Sequence, residues 1–239
     1  MAETPRAWRT VLDRLEADLF EGRLNPGDRL PGERDRAASL GVGRSSVREA
    51  MRVLEVMGVV RTAVGSGPSS GAMIVSAPAG GLSALLRLQT AAQAFDLADI
   101  VATRGALETS VARDLATLDA PDLAQADAMI EAMSRDGITR EEFLVLDQNF
   151  HLALAEAAGN AVTATVLSGL RSAIEAYITA GAASIPDWEA TADRLHGEHV
   201  GVLAAIRDRD PDAAAAAVRD HITGYYAQMR TSDTAREDS

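Results

Sequence analysis

Residues 26–58 read PGDRLPGERDRAASLGVGRSSVREAMRVLEVMG, and this stretch decides the fold of the first part of the chain. It predicts two short helices joined by a tight glycine turn. The first starts near Gly32–Glu33 and ends at Gly41; the second ends at Gly58. In the second, Arg44, Arg48 and Arg52 stand at i, i+4 and i+8 and share a face. Val47, Met51 and Leu54 stand at i, i+4 and i+7 and form an apolar stripe. A helix that buries one side and shows arginines on the other fits a DNA major groove, where Arg grips phosphates or forks onto guanine edges. Taken alone, such a stripe reads first as a solvated helix face.

Outward from this stretch, the pattern stays regular. Upstream, a helix from about Arg6 to Phe20 carries Trp8, Val11, Leu12, Leu15 and Leu19 on its inner side, and Asn25-Pro26-Gly27 makes a turn. Downstream, Val59–Thr62 and Met73–Ser76 read as two strands with Gly65–Gly71 between them. Residues 77–81, APAGG, read as a linker between a domain over 1–76 and a helical domain over 82–230. Helices are expected at 82–93, 96–117, 121–135, 139–158, 160–181, 187–208 and 211–230, with Asn160, Asp187 and Asp210 as N-caps. The polar tail over 231–239 is expected to fray.

Composition bounds the function. At 239 residues and 47% hydrophobic, the chain can build two modest cores. Residues 1–20 are charged throughout and lack the apolar core of a signal peptide. No uninterrupted apolar run reaches the ~18 residues of a membrane span. There is no cysteine, which excludes disulfides and thiolate metal sites. A cytoplasmic protein without a membrane partner is expected. The net charge of −12 argues at first against nucleic acid. Its distribution resolves this: residues 1–76 hold 11 Arg against 10 acidic residues, a net of +1, so residues 77–239 carry −13. Local charge decides phosphate contact.

The four histidines all follow residue 150. Asp147 and His151 are i, i+4 on one expected helix; His199 and His221 lie on two others. One carboxylate and three imidazoles from three helices could hold Zn, Ni, Mn or Fe inside a bundle. Spacing alone reads first as a surface Asp–His pair and ordinary core or surface histidines.

The run PGDRLPGER, then LGVGRSSVREAMRVLE, then MGVV resembles the DNA-binding domain of the GntR family of bacterial transcription regulators. The resemblance implies a winged helix-turn-helix in which Arg34, Arg44, Ser45, Ser46 and Arg48 contact DNA, with Gly67 at the tip of the wing. Two departures stand out. Gly43 replaces the usual Ser or Thr, and the wing reads TAVGSGPSSGAMIV rather than a short Gly-x-Gly hairpin. Residues from Leu82 onward look like the FCD ligand-binding domain of the FadR-like branch. The matching pieces are Arg104-x-x-Leu107-Glu108, Asp147-x-x-Phe150-His151, Ala158-Gly159-Asn160, Glu198-His199, Asp208–Asp210 and the Ala-rich helix ending in His221. The resemblance implies an antiparallel all-α bundle with a divalent metal, zinc first, on Asp147, His151, His199 and His221.

It also implies a small carboxylate or sugar-acid effector near that metal. Arg104 is the expected partner of the carboxylate, unless it is spent on Glu108 at i+4. Asn160 is a second effector candidate, with a helix cap as its plainer role. His196 stays outside the metal set. The expected function is a ligand-responsive repressor acting as a homodimer on a pseudo-palindromic double-stranded DNA operator. Two rival readings are a metal-dependent hydrolytic enzyme built on the Asp/His cluster, and a metabolite-binding protein that has lost DNA recognition.

Overall fold

The computed structural model describes residues 7–63, 71–75 and 80–237. The wing tip and Gly67 lie outside them, as does most of the expected linker. The described residues form a mainly helical protein of two compact units, 1–82 and 83–239.

In the first unit, α1 (Ala7–Phe20), α2 (Glu33–Leu40) and α3 (Arg44–Val56) precede the antiparallel strands β1 (Val60–Ala63) and β2 (Gly71–Ile74). Gly41 ends α2 in the left-handed region at φ 65°, which lets the chain turn sharply into α3. Val47, Ala50, Met51 and Leu54 form the buried stripe of α3 and close on Val11 and Leu15 of α1. Arg36 braces the turn from below: its Nη2 donates to the Pro31 carbonyl at 2.7 Å.

The strands are shifted from the expected positions by one and two residues. Val60 pairs with Ile74, and both are buried. Burial of that pair fixes the register, because a one-residue slip would turn both side chains to solvent. A third segment also holds β2: Leu30 N donates to the Ala72 carbonyl at 2.8 Å, and Ile74 N to the Asp28 carbonyl at 2.9 Å. Sequence periodicity contains no signal for this partner, because residues 27–30 read as a turn.

The second unit is all helix: α4 (Gly81–Ala91, which starts at the division), α5 (Leu97–Thr117), α6 (Ala124–Met133), α7 (Arg140–Ala157), α8 (Ala161–Ala183), α9 (Trp188–Arg207) and α10 (Pro211–Glu237). Helix α5 is central and packs on α7, α8, α9 and α10. Leu115, Phe143, Phe150, Leu167, Ile174, Leu203 and Met229 fill the space between them. Helix α10 continues to Glu237, past the expected end at Arg230. The added residues contain no Gly or Pro to stop it, and polarity alone does not end a helix. Gly169 lets α8 approach α4 closely; an added Cβ would stand 2.7 Å from Leu86 and 3.2 Å from the Ser83 backbone.

Helix starts are set by side chains. Thr139 and Glu142 form a capping box on α7, Asp187 accepts from Ala190 N, and Asp210 accepts from Ala213 N. Asn160 Oδ1 accepts from Val162 N and Thr163 N, both at 3.1 Å, and satisfies two orphan donors of α8. Asn160→Ala should lower stability by about 1 kcal/mol, and Asn160→Asp should retain most of it. Urea denaturation followed by circular dichroism checks this, and equal midpoints for Asn160→Ala and wild type would contradict the capping role.

Candidate metal centre and nucleic-acid interface

The exposed face of α3 carries Arg44, Ser45, Arg48 and Arg52, with Ser46 half-buried beside them; Arg34 is exposed on α2. Helices α2 and α3 both start on glycines, Gly32 and Gly43, and neither start has a side-chain cap. Their first backbone N–H groups therefore face solvent or an incoming phosphate rather than a hydroxyl of the protein. Arg48 is tied back to α2, with Nε 3.0 Å from Glu33 Oε2 and more than half of its side chain exposed. That pair is a weak surface contact, which a phosphate or base edge can displace.

The second unit brings all four expected metal residues together. One ligand atom from each of Asp147, His151, His199 and His221 lies within 4.8 Å of the others. Helix α7 supplies Asp147 and His151 one turn apart, α9 supplies His199, and α10 supplies His221. Three imidazole Nε2 atoms surround Asp147 Oδ1: His199 at 3.1 Å, His151 and His221 at 3.7 Å each. The His151 and His221 Nε2 atoms approach to 3.2 Å. The Phe150 ring closes one wall, 4.5 Å from the His199 ring.

Carboxylates behind the cluster orient two of the rings. Glu108 Oε2 lies 2.6 Å from His151 Nδ1, and Glu198 Oε2 lies 2.8 Å from His221 Nδ1. Each leaves Nε2 free to face the centre, which is the usual support for a metal-ligating His. Burial pulls His199 down to about 3, partly opposed by Asp147, so its ring is neutral. Burial alone would raise Asp147, but hydrogen bonds from the three histidines hold it well below the ordinary Asp value. Burial also works against charge on His221, yet Asp147 and Glu198 outweigh it and raise the group. A charged Asp beside neutral imidazole is the donor set of a divalent cation. His199 Nε2 has only the Asp147 oxygen at 3.1 Å as a partner and Nδ1 has none among the described residues, so Nε2 is placed to face such an ion.

The remaining site residues rearrange the expectation. Arg104 is buried and already engaged: Nη2 lies 2.9 Å from Glu108 Oε1, and Nη1 donates to Tyr226 Oη at 2.6 Å. The i, i+4 pairing prevails because a guanidinium buried to 3% exposure needs a carboxylate within reach. Asn160 is exposed, and its Oδ1 is engaged at the start of α8, the plainer of its two expected roles. His196 stays outside the cluster.

Sequence reasoning assigned no role to Arg171, Glu198 or Tyr226. Arg171 is buried on α8, with Nη1 3.5 Å from Asp147 Oδ2 and Nε 3.4 Å from Glu108 Oε1. Its signal was present as a lone arginine inside the apolar run AVTATVLSGLRSAI. A cleft between α7 and α8, rimmed by Gln148, Glu175 and Thr179, leads to Asp147 and Arg171.

Comparison with known proteins agrees with this geometry. The FCD domain family matches residues 99–224, and the family of bacterial regulatory proteins, gntR family, matches residues 8–68. The HTH-type transcriptional repressor NanR of Citrobacter rodentium is 30% identical over 227 residues, covering 91% of this chain and 83% of the relative. The Glc operon transcriptional activator of Escherichia coli K12 is 28% identical over 222 residues, covering 89% and 84%. The solved structure of a Streptococcus agalactiae GntR protein superposes with a TM-score of 0.60 at 25% identity, covering 91% of this chain and 97% of that one. The family and these relatives are DNA-binding transcriptional regulators, not enzymes, and the hydrolytic reading of the Asp/His cluster falls with that. The chain belongs to the gntR family of bacterial regulatory proteins and carries an FCD domain C-terminal to its winged helix-turn-helix.

Proposed function

We propose that this regulator is a metabolite-controlled repressor whose signal is received at a metal centre. The convergence of Asp147, His151, His199 and His221 within 4.8 Å carries the reading. These four residues would hold a divalent ion; zinc suits three imidazoles and a carboxylate, and Ni, Mn or Fe tolerate the same donors. The ion would supply a positive centre with open coordination positions for an anionic effector. Arg171 beside Asp147, at the inner end of the α7–α8 cleft, would orient an effector carboxylate. The arginine and the cation site together favour a small acidic metabolite of the carboxylate or sugar-acid class, and the likeness to the repressor NanR supports repression as the direction of control.

The DNA-reading unit would work in pairs. Leu85 and Leu88 stand exposed three residues apart on α4, which supports a self-associating helical domain. A two-fold dimer presents two copies of α3 to a pseudo-palindromic operator. An effector that binds one arrangement of the dimer better than another shifts operator affinity by that difference. A cytoplasmic location follows from that role; no helix among the described residues is long and apolar enough to cross a membrane.

Metal analysis tests the centre directly. Wild type reconstituted with zinc should hold one ion per chain. His199→Ala and His221→Ala should lose it and melt lower, while His196→Ala should change neither. A wild type that takes up no zinc, nickel or manganese would overturn the centre.

Proton competition gives a second readout. His221 is raised above its ordinary 6.5, so protons compete with metal from above that value downward. Zinc affinity, read by competition with a chelator, should therefore begin to fall before pH 6.5 and keep falling below it. In the metal-free protein His199 acts with the opposite sign to His221. Its folded value of about 3 lies below 6.5, so its contribution is present above 6.5 and lost as pH drops toward 3. The His221 contribution is present below 6.5 and lost as pH rises through its raised value.

Operator binding tests the first unit. Arg44→Ala and Arg48→Ala should each weaken binding, and an arginine that reads a base should cost about 1–3 kcal/mol. Fluorescence anisotropy on DNA from the upstream region of the protein's own gene measures this. Unchanged affinity in both folded variants would remove α3 from the interface.

A further inference from the structure

Among the buried polar atoms of the second unit without a hydrogen-bond partner, two donors flank the cluster and have no assigned role. Tyr225 Oη on α10 is fully shielded from solvent, in a side chain 8% exposed, and makes no hydrogen bond among the described residues. Arg140 Nε on α7 is equally shielded and equally unpartnered, while its guanidinium stacks 5.0 Å from the Trp188 ring centroid. A buried donor without an acceptor costs stability, so each such group calls for an explanation.

Both donors lie at the same end of the metal cluster. Tyr225 stands one turn beyond His221 on the same face of α10, a rise of about 6 Å; Arg140 stands two turns before Asp147 on α7, about 10 Å. Contacts between the helices align these displacements. Beyond Tyr225 on α10, Gln228 hydrogen-bonds Thr191 and Arg194, which lie N-terminal to His199 on α9. At the start of α9, Trp188 packs edge-on against Phe143 and under Arg140, at the start of α7. The end of the cluster marked by Tyr225 on α10 is thus the end marked by Arg140 on α7. Consistent with this, burial pushes the Tyr225 phenol above its ordinary value, Asp147 adds to the rise, and Arg140 and Arg194 oppose it. The phenol is a donor at any working pH.

We infer that Tyr225 Oη and Arg140 Nε form a second recognition pole, which takes an acceptor oxygen at the far end of the effector while its carboxylate lies at the metal end. This rests on the carboxylate reading proposed above. The displacement of about 6 Å along α10 from His221 to Tyr225 sets the length scale: a chain of about six carbons with a terminal oxygen reaches that far from a carboxylate at the metal end, and a two-carbon acid does not. Arg104 is already matched to Glu108, and Arg171 is assigned to the carboxylate end, so the two unmatched donors are left to set specificity at the far end.

The test uses zinc-loaded full-length protein and three probes: acetate, hexanoate and 6-hydroxyhexanoate. Calorimetry should show 6-hydroxyhexanoate binding about tenfold tighter than hexanoate, the worth of one well-made hydrogen bond. Tyr225→Phe removes one oxygen and keeps the ring. It should erase that preference, leave the affinities for acetate and hexanoate and the zinc content unchanged, and melt no lower than wild type. Arg140→Lys should weaken the preference in part. Equal binding of hexanoate and 6-hydroxyhexanoate by wild type would overturn the second pole and leave the carboxylate reading standing. So would a preference that survives Tyr225→Phe, or a marked fall in its melting temperature, which would assign the hydroxyl to the fold. Failure of all three acids to bind would overturn the carboxylate reading, and this inference with it.

Discussion

The carboxylate of Glu108 is the pivot on which the helical domain depends. It is 4% exposed and faces three cationic or proton-bearing groups: Arg104 from its own helix, Arg171 from α8 and His151 from α7. Burial alone would raise its pKa, but Arg104, His151 and Arg171 hold it well below the ordinary Glu value. A single buried carboxylate therefore bonds α5 to α7 and α8 and sets the orientation of the His151 ring in the cluster. Such networks contribute less to net stability than their Coulomb energy suggests, because desolvation consumes most of it. Their effect is on geometry: removing one member leaves the others charged and unpaired, so the arrangement is held as a unit.

That arrangement explains why the cluster sits deep in the bundle without collapsing. Three imidazoles crowd Asp147, and two of them are turned by carboxylates on neighbouring helices. Phe150 and the central core residues supply the apolar wall, and Arg171 sets its guanidinium against the Asp147 carboxylate. The DNA-reading unit is built on the opposite principle. The arginines of α3 are exposed, the starts of α2 and α3 carry no side-chain caps, and the Arg48–Glu33 pair between them is weak. The helical unit turns its charges inward onto one another, and the α2–α3 surface leaves its charges open for a polyanion.

Much of this was legible in the residue order. The alternation of Arg44, Arg48 and Arg52 with Val47, Met51 and Leu54 gave both faces of α3, and the helix-starting side chains Asn160, Asp187 and Asp210 marked true boundaries. The four metal residues were found by motif resemblance and chemistry together, since their spacing alone is also that of surface pairs. What stayed hidden depends on contacts between distant segments. The pairing of residues 28–30 with β2 leaves no periodic trace. Arg104 could be read as free or paired until Glu108 and Tyr226 were seen on either side of it. The orienting role of Glu198 and the burial of Arg171 depend on helix packing, which no local pattern encodes.

The Glu198 carboxylate has a consequence for how the buried site meets its surroundings. Glu198 touches the His221 ring with one oxygen and Arg194 with the other, and the Arg194 side chain is 39% exposed. Arg194 is held in turn by Gln228, which donates to Thr191. This relay runs from bulk solution to the buried His221 ring in two steps. Mobile ions screen its outer link far more than its inner one. Counter-ions gathering at Arg194 would loosen its claim on Glu198 and leave more of that carboxylate's charge for the imidazole. The ionic composition of the surrounding fluid is thereby wired to the proton hunger of a nitrogen that water never touches.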